Sequence, residues 1–438
     1  MSSVLSETNG RTLRRSLGLL ETTIGGVGII LGAGIYVLVG EVAADAGSAL
    51  WISFLMAAAM ATVVGLGYAE LVSLFPKAGA DYEYTRNALG ERAAFVVGWL
   101  IVIGNIVAAA AVALGFGAYL SVFWDVSPTQ AGIGALAVAT IIAWFGIKEA
   151  VWVSIVLTLI EAGGLVFVVV IGVPHLGDVS LVETPHGAAG VFSGAALVMF
   201  AFVGFEQIAT LAEETRDARR VIPRALLLAI AITGAFYLLV ALTAVSVLGW
   251  EALSGSEAPL AAVAAEVLGG RASDLIAIVA LFSTGNTLLL LLVASSRLMY
   301  GMASTTALPR FLARIDPNRR TPVPAIVLSL IVSVAFTATG DIGFVAGATN
   351  FAVFVGFAAV NLSLIVLRYT LPDADRPFRV PGGIGRLPVV PVVALAGVAF
   401  LMANLERDAL LVGGLLFLSG IVAMELFSLW RPEDGDVA

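Results

Sequence analysis

The sequence predicts an all-α membrane protein with twelve transmembrane helices, and three observations carry that expectation. Of its 438 residues, 60% are hydrophobic and only 12% charged, a balance that a soluble domain of this size does not hold. Long apolar runs recur from end to end, and about 20 helical residues cross a hydrocarbon core of roughly 30 Å. The runs are continuously apolar and lack the alternation of a membrane barrel, which argues for helices over strands.

Twelve candidate spans centre near residues 30, 60, 107, 139, 161, 200, 237, 287, 331, 355, 396 and 419. The polar residues 1–15 carry no cleavable signal, so the first span reads as a permanent helix behind a cytoplasmic N-terminus. Of the 23 basic residues, only Arg271 and Arg407 fall outside one alternate set of connections. That set, which includes Lys77, Arg86, Lys148, Arg219 and Arg319, is therefore read as cytoplasmic, with both termini inside. The expected location is the cell inner (plasma) membrane. The net charge of −8 comes mainly from outer loops and the tail, and no basic patch suggests a nucleic-acid partner. With no cysteine, and with His175 and His186 together in one outer loop, the sequence offers neither disulfides nor a metal site, and no cofactor is expected.

The first span, "TTIGGVGIILGAGIYVLVG", raises a specific question. Gly25, Gly26, Gly28, Gly32 and Gly34 fall within ten positions, and each interior glycine costs about 1 kcal/mol relative to alanine. Gly28 and Gly32 alone fit a GxxxG packing face. The consecutive Gly32, Ala33 and Gly34 do not, because packing needs small residues every fourth position. An unwound segment accounts for them: N–H groups at the start of one half-helix favour a carboxylate, and the preceding half-helix offers free carbonyls. Irregular backbone at membrane depth is tolerated where it lines a cavity.

The sixth span has a matching interruption in "FAFVGFEQIA" at 200–209, which makes spans 1 and 6 discontinuous. The spacing suggests two five-helix halves of opposite orientation, over 16–175 and 191–370. The last two spans, within 388–430, lie outside this repeat, and the whole chain forms one membrane domain.

Several stretches resemble the amino acid-polyamine-organocation superfamily, above all its bacterial cationic amino acid transporter-like branch. They are "GVGIILGAGIYV", "YAELVSLFPKAGADYEYTRNALGERAAFVVGW" (68–99), "FAFVGFEQIATLAEETRDARRVIPRAL" (200–226) and "SSRLMYGMASTTALPRFLARIDPNRRTPVPAI" (295–326). The resemblance implies a LeuT-type fold of 5+5 inverted repeats and secondary active transport of amino acids. It also implies that the N–H groups of Ala33 and Gly34, with Gly32 allowing the turn, hold the substrate carboxylate. Carbonyls of Ile30, Phe200 and Val203 would take the ammonium, with Ala201 and Phe202 in the same break. Phe200 resembles the family's aromatic lid; ordinary core packing is the competing reading.

Two departures from the family pattern matter. Where the cationic branch places a glutamate and a tyrosine after a span-3 tryptophan, this chain has Gly104 and Asn105 after Trp99. Without that carboxylate a cationic side chain lacks a counter-charge, so neutral, apolar L-amino acids are the expected substrates. The second departure is Glu161, mid-way along span 5, where the branch commonly has a lysine. An ionisable group at that depth reads as functional, here as a coupling site for H+ or Na+ together with Ser283, Thr284 or Thr287 of span 8. A glutamate hydrogen-bonded to a neighbouring helix is the bland alternative. Glu206, just past the second break, reads either as a gating group or as a local hydrogen-bond acceptor. Glu21, Glu70, Glu213 and Glu214 lie near cytoplasmic arginines as inner-gate ion pairs or surface pairs of little consequence.

The functional expectation is an amino acid importer driven by H+ or Na+ symport through alternating access, not an enzyme, whose partners are the substrate, the coupling cation and the bilayer. An amino acid exchanger and a non-transporting sensor of the same fold are the alternatives. An intramembrane protease would need a nucleophile pair, and no histidine lies in any span. The orientation is testable because the chain has no native cysteine. Single cysteines at Ser127, Ser180 and Ser254 should each react with an impermeant thiol reagent on intact cells. Protection of all three would overturn the assignment.

Overall fold

A computed structural model describes residues 17–76, 80–145, 150–213, 215–304, 308–319 and 321–429. Arg11, Arg14, Arg15, Lys77, Lys148, Glu214, Arg320 and Arg431 lie outside them, as does the side chain of Glu213. Fifteen α-helices run through the described residues: α1 (Leu19–Leu31), α2 (Gly34–Ala46), α3 (Leu50–Leu74), α4 (Ala80–Leu89) and α5 (Glu91–Leu120) come first. Next are α6 (Pro128–Phe145), α7 (Ala150–Gly172), α8 (Gly187–Phe202), α9 (Ala218–Ser254) and α10 (Pro259–Leu268). Last are α11 (Gly270–Ser304), α12 (Val323–Thr337), α13 (Ile342–Thr370), α14 (Val389–Ala403) and α15 (Arg407–Leu429). A two-stranded hairpin pairs Gly383–Ile384 with Leu387–Pro388.

Each of the twelve span centres expected from the sequence falls inside a helix. Among the described residues, nine helical stretches are long and apolar enough to cross a membrane; α1, α10, α12 and α14 are shorter apolar helices. The protein is thus an all-α, multi-pass membrane protein. Leu159, Val170, Leu411, Leu415, Leu418 and Val422 point outward from α7 and α15, as expected where the surrounding solvent is hydrocarbon.

Helix α5 runs through the middle, packed against α6, α11, α12, α13 and α15. Its unbroken buried run from Ile106 to Gly115 is largely alanine and valine, which lets neighbouring backbones come close. The broken pair α1/α2 packs on α8 and α9, and α3 lies against α8 and α9.

Near the C-terminal end of α3, Glu70 is fully buried. It accepts a bidentate pair from Arg368 of α13 at 2.6 and 2.5 Å, and the Val380 N–H at 2.8 Å. Arg376 Nε lies 3.1 Å away, and its terminal nitrogen donates to the carbonyls of Leu367 and Leu371 at the end of α13. Arg219 of α9 adds a bond to the Ser73 carbonyl and an ion pair with Asp375. The chain after α13 is thereby fastened across the ends of α3 and α9. Glu70 is a buried, saturated clasp rather than a surface pair. Glu70→Gln leaves two guanidiniums without their anion, and breaking a buried pair from one side costs about 3–5 kcal/mol. Denaturant titration in detergent micelles should show a loss of that size.

Candidate functional site

The first break lies between α1 and α2, and Gly32 there has φ +27°, a conformation that disfavours side chains. The second lies between α8 and a 3-10 segment, Phe205–Glu213, with Gly204 at φ +118°. The two breaks face each other. A Cβ on Gly34 would sit 2.5 Å from the Ala201 Cα, and one on Gly204 would sit 3.0 Å from the Ile29 carbonyl oxygen. The glycines are therefore required both for the turn and for the approach of backbone to backbone.

Between the breaks stands Tyr237 of α9, fully buried. Its hydroxyl lies 2.9 Å from the Ile30 carbonyl, 2.7 Å from that of Leu31 and 3.1 Å from that of Ala201. The ring of Phe202 meets it edge-on at 5.3 Å. One hydroxyl carries one proton, so three carbonyls share a single donor. Two of them retain capacity for a ligand N–H. Sequence reasoning missed Tyr237; the only signal was a polar-tipped aromatic in the middle of the apolar run "AFYLLVAL".

The other expected binding groups are placed as follows. Ala33 N–H donates to Thr287 Oγ1 of α11 at 3.2 Å, and Gly34 opens α2. The Phe200 carbonyl accepts from Val203 N–H at 3.2 Å, closing a turn at the end of α8, and the Phe200 side chain is buried. Gly104 and Asn105 of α5 do join Val203, lining one cavity with Tyr68, Asp81 and Glu206. A Cβ on Gly104 would make only an ordinary contact with Ala352, so packing does not demand glycine there.

Glu161 of α7 is buried and accepts from Ser283 Oγ of α11 at 2.7 Å. Its main-chain carbonyl accepts from the Tyr36 hydroxyl of α2 at 3.1 Å. Of the expected α11 partners, Ser283 alone bonds the carboxylate: Thr284 bonds back to the Ala280 carbonyl, and Thr287 serves Ala33. Glu206 accepts the Gly204 N–H on both oxygens, at 3.1 and 2.9 Å, and so stabilises its own break. Glu21 was expected at an inner gate. Its carboxylate instead accepts the Gly18 N–H at 3.0 Å and caps the start of α1. No ion pair involves it among the described residues. The same stretch is tied to the end of the second break, where Arg216 N–H donates to the Leu17 carbonyl at 2.9 Å.

The sequence model of the amino acid permease family matches residues 17–423. The chain is 29% identical to a branched-chain amino acid permease of Bacillus subtilis, covering 98% of this chain and 96% of the relative. A methylthioribose transporter of the same bacterium is 27% identical, covering 90% of this chain and 89% of the relative. A vacuolar cationic amino acid transporter of Arabidopsis thaliana is 28% identical over 85% of this chain and 63% of its own length.

The shared hydroxyl gives a direct test. Tyr237→Phe keeps the ring and removes the side-chain donor that three buried carbonyls share. Leaving buried acceptors unpaired costs about 1–3 kcal/mol. Equilibrium unfolding in micelles should show a decrease in that range.

Proposed function

The chain belongs to the amino acid permease family of the amino acid-polyamine-organocation superfamily, and from that premise we propose that it is a secondary active transporter of α-amino acids. The single observation that carries the reading is the sharing of one Tyr237 proton among carbonyls from both breaks. An α-ammonium supplies the donors those carbonyls lack. The N-terminus of α2, beginning at Gly34, supplies N–H groups and a positive dipole end to the α-carboxylate. Main-chain groups thus bind the part common to every amino acid, and in this reading a 5+5 arrangement of twelve spans would put the site near the bilayer midplane.

The side chain is directed to the α5 wall around Gly104 and Asn105. The absence of a carboxylate at these two positions suggested neutral substrates, although Asp81 and Glu206 border the same cavity. The rest of the lining is mostly apolar, including Leu100, Ile101, Val353 and Phe357, which supports a neutral, apolar preference. The branched-chain specificity named for the Bacillus relative agrees with it.

Glu161 is the coupling group in this reading. Its Ser283 bond and the Tyr36 contact join α7 to α11 and to the first turns of α2. A change in its ligation by H+ or Na+ is therefore transmitted directly to the carboxylate-binding end of the first break. Import by symport follows, in the inner (plasma) membrane with both termini cytoplasmic.

Reconstituted protein tests the whole reading. Wild type should accumulate a branched or other apolar amino acid in liposomes under either a pH gradient or a sodium gradient. Glu161→Gln should keep exchange of labelled substrate and lose gradient-driven accumulation. Wild type that binds amino acids but neither accumulates nor exchanges them would be a sensor. Accumulation unchanged in Glu161→Gln under both gradients would remove the coupling role.

A further inference from the structure

The cavity beside the second break carries charge that substrate binding does not use. It is about 40 Å³, room for roughly three waters at 10–15 Å³ each, or for a small ion that keeps a water or two. Oxygen-bearing side chains line it from four elements: Tyr68 of α3, Asp81 of α4, Glu206 of the 3-10 segment and Thr349 of α13. Asn105 of α5 adds an amide. Two of these oxygens have no partner. Tyr68 is fully buried and its hydroxyl makes no hydrogen bond; Asp81 Oδ1 is likewise buried and unpaired. The two side chains sit close enough to interact, yet no hydrogen bond of ordinary geometry closes between them.

The charge balance is one-sided. Asp81 and Glu206 are both acidic and face the same small space, and no arginine or lysine pairs with either among the described residues. Tyr84 of α4 is the other titratable group nearby, its hydroxyl also unpartnered, and the α5 and α13 residues lining the cavity are not titratable. Glu206 spends its oxygens on Gly204 N–H, while Thr349 donates to the Val345 carbonyl at 3.0 Å and keeps its lone pairs free. What remains is a set of oxygen acceptors under net negative charge with no cationic side chain among the described lining residues.

We propose that this cavity is a site for a small monovalent cation, distinct from Glu161, in which Asp81 provides the charge and the Tyr68 hydroxyl oxygen a neutral ligand. Hard cations take oxygen ligands of this kind. A divalent ion is disfavoured, because no cluster of three carboxylate, imidazole or thiol groups exists among the described residues. Burial pushes the Asp81 carboxyl up to about 6, with the Tyr68 hydroxyl acting in the opposite direction. Protons and cations therefore compete for Asp81, and cation binding weakens as pH falls through that value.

Thermal unfolding of the full-length protein in micelles tests the site without reference to transport. At about pH 7.5, where the carboxyl is ionised, sodium chloride should raise the midpoint in a saturable way relative to choline chloride of equal ionic strength. Asp81→Asn should abolish the sodium shift. Tyr68→Phe, which keeps the ring, should raise the apparent sodium Kd about three- to tenfold, the range of one neutral contact. Glu161→Gln should retain the shift, which separates this site from the coupling group. Equal shifts with choline, or a sodium shift unchanged in both Asp81→Asn and Tyr68→Phe, would overturn the proposal. So would loss of the shift in Glu161→Gln, a shift produced by lysine but not by sodium, or a pH-dependent midpoint with no cation effect, which would make the ligand a proton.

Discussion

Everything at the centre of this protein depends on keeping interrupted backbone satisfied where no water of the bulk phase can reach it. A continuous helix meets that demand internally, and a broken one cannot. Here the carbonyls of Ile30, Leu31 and Ala201 converge on the hydroxyl of Tyr237. Tyr237 comes from α9, which runs the full depth of the core against α1, α2 and α3. A residue on a third helix thus holds two broken ones together while leaving them short of donors. The shortage is the binding capacity: a fully satisfied break would be a structural kink and nothing more.

The same distinction sorts the buried acids. Glu70 has two oxygens and meets Arg368 twice, Arg376 once and the Val380 N–H. Nothing is left over for a ligand, and the group fixes the chain that follows α13. Glu206 is likewise occupied, by Gly204. Glu161 is bonded through Ser283 alone among side chains, and Asp81 Oδ1 has no partner. Depth in the membrane is common to several of these groups. Residual acceptor capacity is what separates the candidates for ion binding from the supports.

The sequence made some of this legible and hid the rest for identifiable reasons. The span centres were readable because apolar periodicity is local and membrane thickness fixes its length. The first break was readable because Gly32, Ala33 and Gly34 are adjacent and no packing rule wants them so. Glu161 stood out as an acid within an apolar run, and its Ser283 partner could be anticipated from a resemblance. Tyr237 could not be singled out, since one tyrosine in an apolar span is ordinary; its role exists only because residues 206 and 207 positions away fold against it. Asp81 was hidden differently. It sits in a polar stretch before α5, where acids are unremarkable, and only the tertiary fold turns it toward Tyr68 and Glu206. Glu21 reads in sequence as a gate or surface acid near arginines, and its cap on its own helix end becomes visible only in the fold.

The contacts of α2 show how these local arrangements act as one. Its N-terminal cap, Ala33, is bonded to Thr287 of α11, and Tyr36 one turn on is bonded to the Glu161 carbonyl of α7. Tyr119 of α5 in turn donates to the Tyr36 carbonyl at 3.0 Å, with the two rings packed edge-to-face. The half-helix that presents N–H groups to a carboxylate is therefore held from three sides by α5, α7 and α11. At Gly34 it also touches α8 through glycine and alanine backbone, where a Cβ on Gly34 would have no room. That contact resists closer approach and itself forms no hydrogen bond, whereas at the other end of α2 the Ser193 hydroxyl of α8 donates to the Asp45 carboxylate at 2.8 Å. The α2/α8 seam is thus asymmetric, pinned by a hydrogen bond at Asp45 and held by close packing alone at Gly34, the end that lies beside both breaks.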